Sequence, residues 1–207
     1  RKDEKTMKKL SKIYRFIERA SVIFRKIARP PIFAAAFLLV LYVTDPAIFG
    51  AWWQLAFGIF ALGVLPILGY PLQKFIPPFK DRGREGQRSL AMLFCFGGYL
   101  LGTVWAVCTQ APAPLLMTYL CYLSCGIGML IFNKLFRLKA SGHACGIMGP
   151  VFALLIYFRL YLFAAIGGVL ALAVFASSVC TGEHTKGQLL GGSAIALVCI
   201  SVLSMIF

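Results

Sequence analysis

Residues 160–180 read "LYLFAAIGGVLALAVFASSVC" and contain no charged side chain. A helix needs roughly 20 mainly apolar residues to cross the hydrocarbon of a bilayer, and this stretch is long enough. Comparable apolar runs lie at 32–49, 52–70, 90–109, 113–133, 144–158 and 188–207. The run at 144–158 is short and holds Pro150, which predicts a kink or a partly sunken helix. Backbone groups in lipid are satisfied only in helices or closed barrels. Barrel strands alternate apolar and polar residues, and these runs are continuous. The resulting fold class is all-α, a polytopic transmembrane helix bundle of about six to seven spans.

Composition agrees. Of 207 residues, 60% are hydrophobic and 14% charged, against about 25% charged in soluble domains. The net charge of +14 would suggest nucleic acid in a soluble protein, but its distribution points elsewhere. Of 21 Lys and Arg, 11 lie in residues 1–29. Five more, Lys74, Lys80, Arg82, Arg84 and Arg88, come after the second run. Lys134, Arg137 and Lys139 come after the fourth, and Lys186 after the sixth. With seven spans these regions share one side, and Arg159 alone faces the other. Cationic loops favour the cytoplasm, so the N-terminus and these loops are expected there, and no nucleic-acid partner is expected.

The chain divides into a basic amphipathic cytoplasmic segment, 1–30, and a transmembrane region, 31–207. In the first, Leu10, Ile13, Ile17, Ala20, Phe24 and Ile27 recur at helical steps among Lys and Arg. That pattern predicts a helix on the membrane surface, drawn by anionic lipid. A partner-binding or DNA-binding helix is the alternative. Arg29-Pro30-Pro31 ends it and turns the chain into the bilayer. No secretory cleavage pattern is present.

The stretch 71–90, "PLQKFIPPFKDRGREGQRSL", reads as the longest polar loop. Its cations serve either as a topological anchor or as an anion pocket at headgroup level; arginine density is the argument for the second. The seven cysteines read as small apolar packing residues, with no metal spacing and no disulfides expected. The paired glycines of the later runs read as close helix contacts.

His143 and His184 are the two histidines, 41 residues apart. They occupy "SGHACG" and "GEHTKGQLLGG", each just before a run rich in small residues and each on the basic side. Ionisable groups at the bilayer boundary point to function. Phosphate-ester chemistry needs a nucleophile, which neutral imidazole provides. It also needs an acid for the leaving oxygen, and cations with backbone N–H groups around the phosphoryl oxygens. Two histidines, clustered cations and a Ser-Gly-His helix start supply that set without a metal or cofactor.

These residues resemble the type 2 phosphatidic acid phosphatase superfamily, whose pattern is K-x6-R-P, then P-S-G-H, then S-R-x5-H-x3-D. "ASGH", Ala140 to His143, is similar to the second part. "SSVCTGEHTKGQ", Ser177 to Gln188, is similar to the third and keeps its Ser-to-His spacing. The match covers roughly the last third of the chain. Ser178 stands at the family's Arg, Gln188 at its Asp and Ala140 at its Pro, and no K-x6-R-P precedes the second motif. The resemblance implies His184 as nucleophile, His143 as general acid and Gln188 as the residue that orients His184. Phosphate-binding candidates are Lys139, Ser141, Gly142, Lys134, Lys80, Arg82, Arg84 and Arg88.

The function implied is an integral membrane lipid phosphatase. It would hydrolyse a phosphate or diphosphate on a polyprenyl or phosphatidate-like lipid through a phosphohistidine. The alternatives are a weakly active or inactive lipid-phosphate binder or transporter on the same bundle, and a structural membrane subunit.

Overall fold

The computed structural model describes residues 29–136 and 139–207. The amphipathic segment ahead of Arg29 lies outside the described residues, as does Arg137. Arg29 is extended, and Pro30 and Pro31 open the first helix, α1 (Pro30–Thr44). Proline suits this position, where the missing N–H has no intrahelical partner. Asp45 then caps a short 3-10 turn, Pro46–Phe49, accepting from the Ala47 N–H at 3.1 Å.

Six more apolar helices come next: α2 (Trp52–Phe75), α3 (Gly83–Cys108), α4 (Ala113–Leu135), α5 (Gly142–Tyr157), α6 (Tyr161–Cys180) and α7 (Lys186–Ile206). No strand occurs among the described residues. Five of them, α2, α3, α4, α6 and α7, are long and apolar enough to cross a membrane. The chain is thus an all-helical, multi-pass membrane protein by length and composition. Helices α1 and α5 are apolar but shorter.

The polar stretch 71–90 is not a loop. Helix α2 runs through Pro71 to Phe75, Pro77–Lys80 forms one helical turn, and α3 already begins at Gly83. Gln73 explains this. Its side chain is buried, and its Nε2 donates to the carbonyls of Phe79 (2.6 Å), Lys80 (3.3 Å) and Gly83 (3.2 Å). One buried amide thus ties together three carbonyls of the turn between α2 and α3. Gly86 completes the turn by letting α3 approach the Phe79 carbonyl.

Among the described residues three helices contain a π-turn, at Phe60–Val64 in α2, Ile131–Leu135 in α4 and Ala153–Tyr157 in α5. In α5 the π-turn comes directly after the turn that holds Pro150. The hydrogen-bond ladder is widened by one residue at this place.

Glycines set the helix contacts. Gly102 of α3 leaves room for the Tyr119 ring of α4, and Gly98 for the Ala61 carbonyl of α2. A side chain at Gly128 would begin 2.9 Å from Ile195 of α7. Gly149 and Gly168 meet nothing within 4 Å, so those two are not contact glycines. Fully buried Tyr119, Phe49, Leu38 and Leu41 anchor the core. Cys125, Cys145 and Cys199, from α4, α5 and α7, join one buried cluster.

The first residues of α1 sit beside α2 and α5. The Arg29 guanidinium lies 5.0 Å from the Tyr70 ring centroid, near the end of α2. A side chain at Gly146, in the second turn of α5, would begin 2.8 Å from Pro30. Arg29, the end of α2 and the start of α5 therefore share one end of the bundle.

Candidate functional site

The site is built from two helix starts. Ser141 caps α5: it is extended, buried, and its Oγ accepts from the Ala144 N–H at 3.3 Å. A capping serine satisfies one of the free amides of the first turn. Gly142 and His143 are the first two helical residues, with His143 half-buried and its Nε2 out of solvent.

Thr185 caps α7. Its Oγ1 accepts from the Gln188 N–H at 3.3 Å, and Gln188 Oε1 accepts from the Thr185 N–H at 3.2 Å. This reciprocal capping box arises from Thr-x-x-Gln in the sequence. His184 sits just before the cap. The preceding turn folds back on α6: the N–H groups of Glu183 and His184 point to the Ser178 carbonyl at 3.1 and 3.5 Å. Gly182, at φ 68°, takes the left-handed conformation this reversal needs.

The two starts are tied together. The Ser141 N–H donates to the Gln188 carbonyl at 2.9 Å. Gly192, one turn further along α7, has no side chain, so the Ser141 carbonyl lies against its backbone. Helix α7 packs more extensively on α5 than on any other helix. As a result the His143 and His184 ring centroids are 6.4 Å apart, with ring planes 25° apart.

His184 Nδ1 lies 3.3 Å from Gln188 Oε1. The Thr185 N–H donates to that same oxygen, so Gln188 turns its carbonyl oxygen, not its NH2, toward the ring. An acceptor at Nδ1 selects the tautomer protonated there. The Nε2 lone pair is then free for a substrate. Two helix N-termini, each presenting the positive end of a dipole, stand side by side here.

The remaining predicted residues divide. Lys134 and Lys139 are exposed, and each is next in sequence to one of the bonded pair Asn133 and Ala140. Ser141 and Gly142 belong to the turn itself. Lys80, Arg82, Arg84 and Arg88 are exposed around the start of α3, which packs chiefly on α2 and α4. None of the hydrogen bonds that join the two histidine turns involves them. Ser178, at the position of the family's arginine, is wholly buried. Its Oγ donates to the Val174 carbonyl at 2.9 Å, back along its own helix.

Residue-type reasoning missed Asn133. Its amide bonds both backbone groups of Ala140, accepting from the N–H at 2.7 Å and donating to the carbonyl at 3.3 Å. The Thr-x-x-Gln cap was open to reading in the sequence; the Asn133 bond had no signal there. Among the described residues no group of three or more His, Cys, Asp or Glu is placed to hold a metal ion. Compared with protein-family models, curated proteins and solved structures, the chain matches none.

Proposed function

We propose that the chain is an integral membrane lipid phosphatase that works through a phosphohistidine. The carrying observation is the pair of imidazoles 6.4 Å apart, at two adjoining helix N-termini. Proton transfer works over about 2.6–3.2 Å between heavy atoms, and that separation leaves room for one phosphoryl group within reach of both rings.

In this reading His184 Nε2 attacks phosphorus while Gln188 Oε1 holds the Nδ1 proton. The bond from phosphorus to the leaving oxygen breaks, and His143 gives that oxygen its proton. First-turn amides of α5 and the Lys139 and Lys134 ammonium groups face the phosphoryl oxygens as charge shifts onto them. Neutral His143 then takes a proton from water, whose oxygen attacks the phosphohistidine and releases inorganic phosphate. The substrate is a phosphate or diphosphate on a lipid, of the phosphatidate or polyprenyl class. Its headgroup meets the basic end of the bundle, and cationic loops place that end in the cytoplasm. Anionic lipid binds the basic N-terminal segment.

Two features favour a second reading, a lipid-phosphate binder with little turnover. Gln188 carries no charge to stabilise an imidazolium, and Ser178 presents no cation. The same measurement separates the two. Purified protein is given phosphatidate and a polyprenyl diphosphate in mixed micelles, and released phosphate is counted. The phosphatase reading expects turnover that His184→Ala and His143→Ala each abolish, with an acid-labile phosphoenzyme in the wild type only. Turnover untouched by His184→Ala sinks it; tight headgroup binding without turnover establishes the second.

A further inference from the structure

We infer that Asn133 is a positioning residue for His143, acting through the backbone of Ala140 and Ser141. The inference rests on the phosphatase reading above and adds a residue that neither the family motifs nor the histidine pair contains.

Asn133 lies near the end of α4, half-buried, within the π-turn Ile131–Leu135. A π-turn inserts one residue into the helix, which rotates the later residues by about 100° relative to an unbroken α-helix. In this register the Asn133 amide meets Ala140 edge to edge. Its Oδ1 accepts from the Ala140 N–H at 2.7 Å, and its Nδ2 donates to the Ala140 carbonyl at 3.3 Å. The amide thus replaces a neighbouring peptide group for a residue that belongs to no helix.

The next residue is gripped from the other side, since the Ser141 N–H donates to the Gln188 carbonyl of α7 at 2.9 Å. Ala140 and Ser141 are therefore held between α4 and α7. Ser141 is the cap that starts α5, and His143 is two residues on. His184 belongs to the start of α7, so the spacing of the imidazoles depends on both grips. Losing the α4 grip leaves Ala140 with unsatisfied backbone groups and lets the α5 start move relative to α7. A misplacement of about 1 Å costs a catalytic group on the order of 10²-fold.

Only asparagine makes both bonds at this length. Aspartate keeps the acceptor of the shorter bond and loses the donor. Leucine has a similar shape and makes neither.

Leaving-group dependence separates positioning of an acid from loss of packing. An alkyl phosphate such as phosphatidate needs a proton on its leaving oxygen, whereas 4-nitrophenyl phosphate expels a stable phenolate. The full chain, purified in detergent, is assayed with both substrates as wild type, Asn133→Leu, Asn133→Asp and His143→Ala. Asn133→Leu is expected to slow phosphoenzyme formation from phosphatidate about 100-fold and from 4-nitrophenyl phosphate, read as the nitrophenolate burst, less than about threefold. KM stays unchanged, and His143→Ala shows the same contrast. Asn133→Asp falls between wild type and leucine on phosphatidate, and provides the test if the leucine variant does not fold. Equal losses on both substrates, or none, overturn the inference while the phosphatase reading stands. A wild type that releases phosphate from neither substrate overturns the phosphatase reading, and the role of Asn133 with it.

Discussion

Gln188 is the place where a single atom exchange tests how His184 is activated. Glutamate has the same length as glutamine, so Gln188→Glu sets a carboxylate oxygen where Oε1 now stands, 3.3 Å from His184 Nδ1. The capping box survives, because either residue accepts the Thr185 N–H from this position. The difference is charge. The imidazole becomes cationic as it bonds to phosphorus, and a carboxylate stabilises that cation where an amide only orients it. In serine-protease triads the reverse exchange, carboxylate to amide, lowers kcat about 10⁴-fold. His184 and Gln188 are half-exposed and the bond is long, so solvent screens part of this. The expected gain is about 10- to 100-fold in kcat, or about 1.4–2.7 kcal/mol in the barrier. The added charge repels an anionic headgroup, so KM rises. A carboxylate in the first turn of α7 also favours the helix dipole by about 0.3–1 kcal/mol, so the melting midpoint holds or rises. The assay is phosphate release at saturating lipid, alongside thermal unfolding in the same detergent. An unchanged or lower kcat with the midpoint held would refute the orientation of His184 by Gln188.

Gly192→Ala drives a methyl group toward the Ser141 carbonyl and to 3.1 Å from the Cys145 nitrogen. It is expected to cost about 1–3 kcal/mol and to abolish phosphate release, whereas Gly187→Ala, whose nearest neighbour is Thr185 Oγ1 at 4.0 Å, spares both. Melting curves and phosphate counts on the pair check this. Ser178→Arg puts a guanidinium at a wholly buried position; it destabilises the fold by several kcal/mol and does not raise turnover. An arginine variant that folds well and turns over faster would show that this position faces the phosphate. Tyr119 has a buried hydroxyl without a hydrogen-bond partner, so Tyr119→Phe removes an unsatisfied group and stabilises the fold by up to about 1 kcal/mol, read as a raised midpoint. A lowered midpoint would mean the hydroxyl is paired in the membrane.

The apolar runs were readable because lipid imposes the same demand on every residue of a span, and α6 and α7 begin and end close to where hydropathy places them. The first two turns of α3 were hidden for the converse reason. "GREGQRS" buries only Gly86, and a helical face made by a glycine leaves no apolar period to read. That segment is held by Gln73, through carbonyls of Phe79, Lys80 and Gly83. Bonds from a side chain to a backbone carbonyl are indifferent to the residue that owns the carbonyl, so they leave no pairwise trace in a sequence.

The candidate site divides along the same line. His143 and His184 were visible as residue types just before runs rich in small residues, and the structure brings them together. Asn133 acts on the backbone of Ala140, and nothing in either residue type announces the other. Ser178 fails in the opposite sense: its spacing to His184 matches a motif, yet its hydroxyl is spent on Val174. Spacing along a helix places a residue on a face only if the register of that face is known. Here Ser178 serves the turn through its carbonyl, which meets the N–H groups of Glu183 and His184, a service any residue in that position performs. In the phosphatase reading the cations must then come from elsewhere in the chain. Of the candidates named, Lys134 and Lys139 adjoin residues paired across the Ser141 turn, Asn133 and Ala140. The arginines of α3 sit on a segment anchored by Gln73 and packed against α2 and α4. Neutralising Lys134 and Lys139 together should therefore raise KM for a lipid phosphate more than neutralising Arg84 and Arg88 together, and the opposite order would return the arginines to the site.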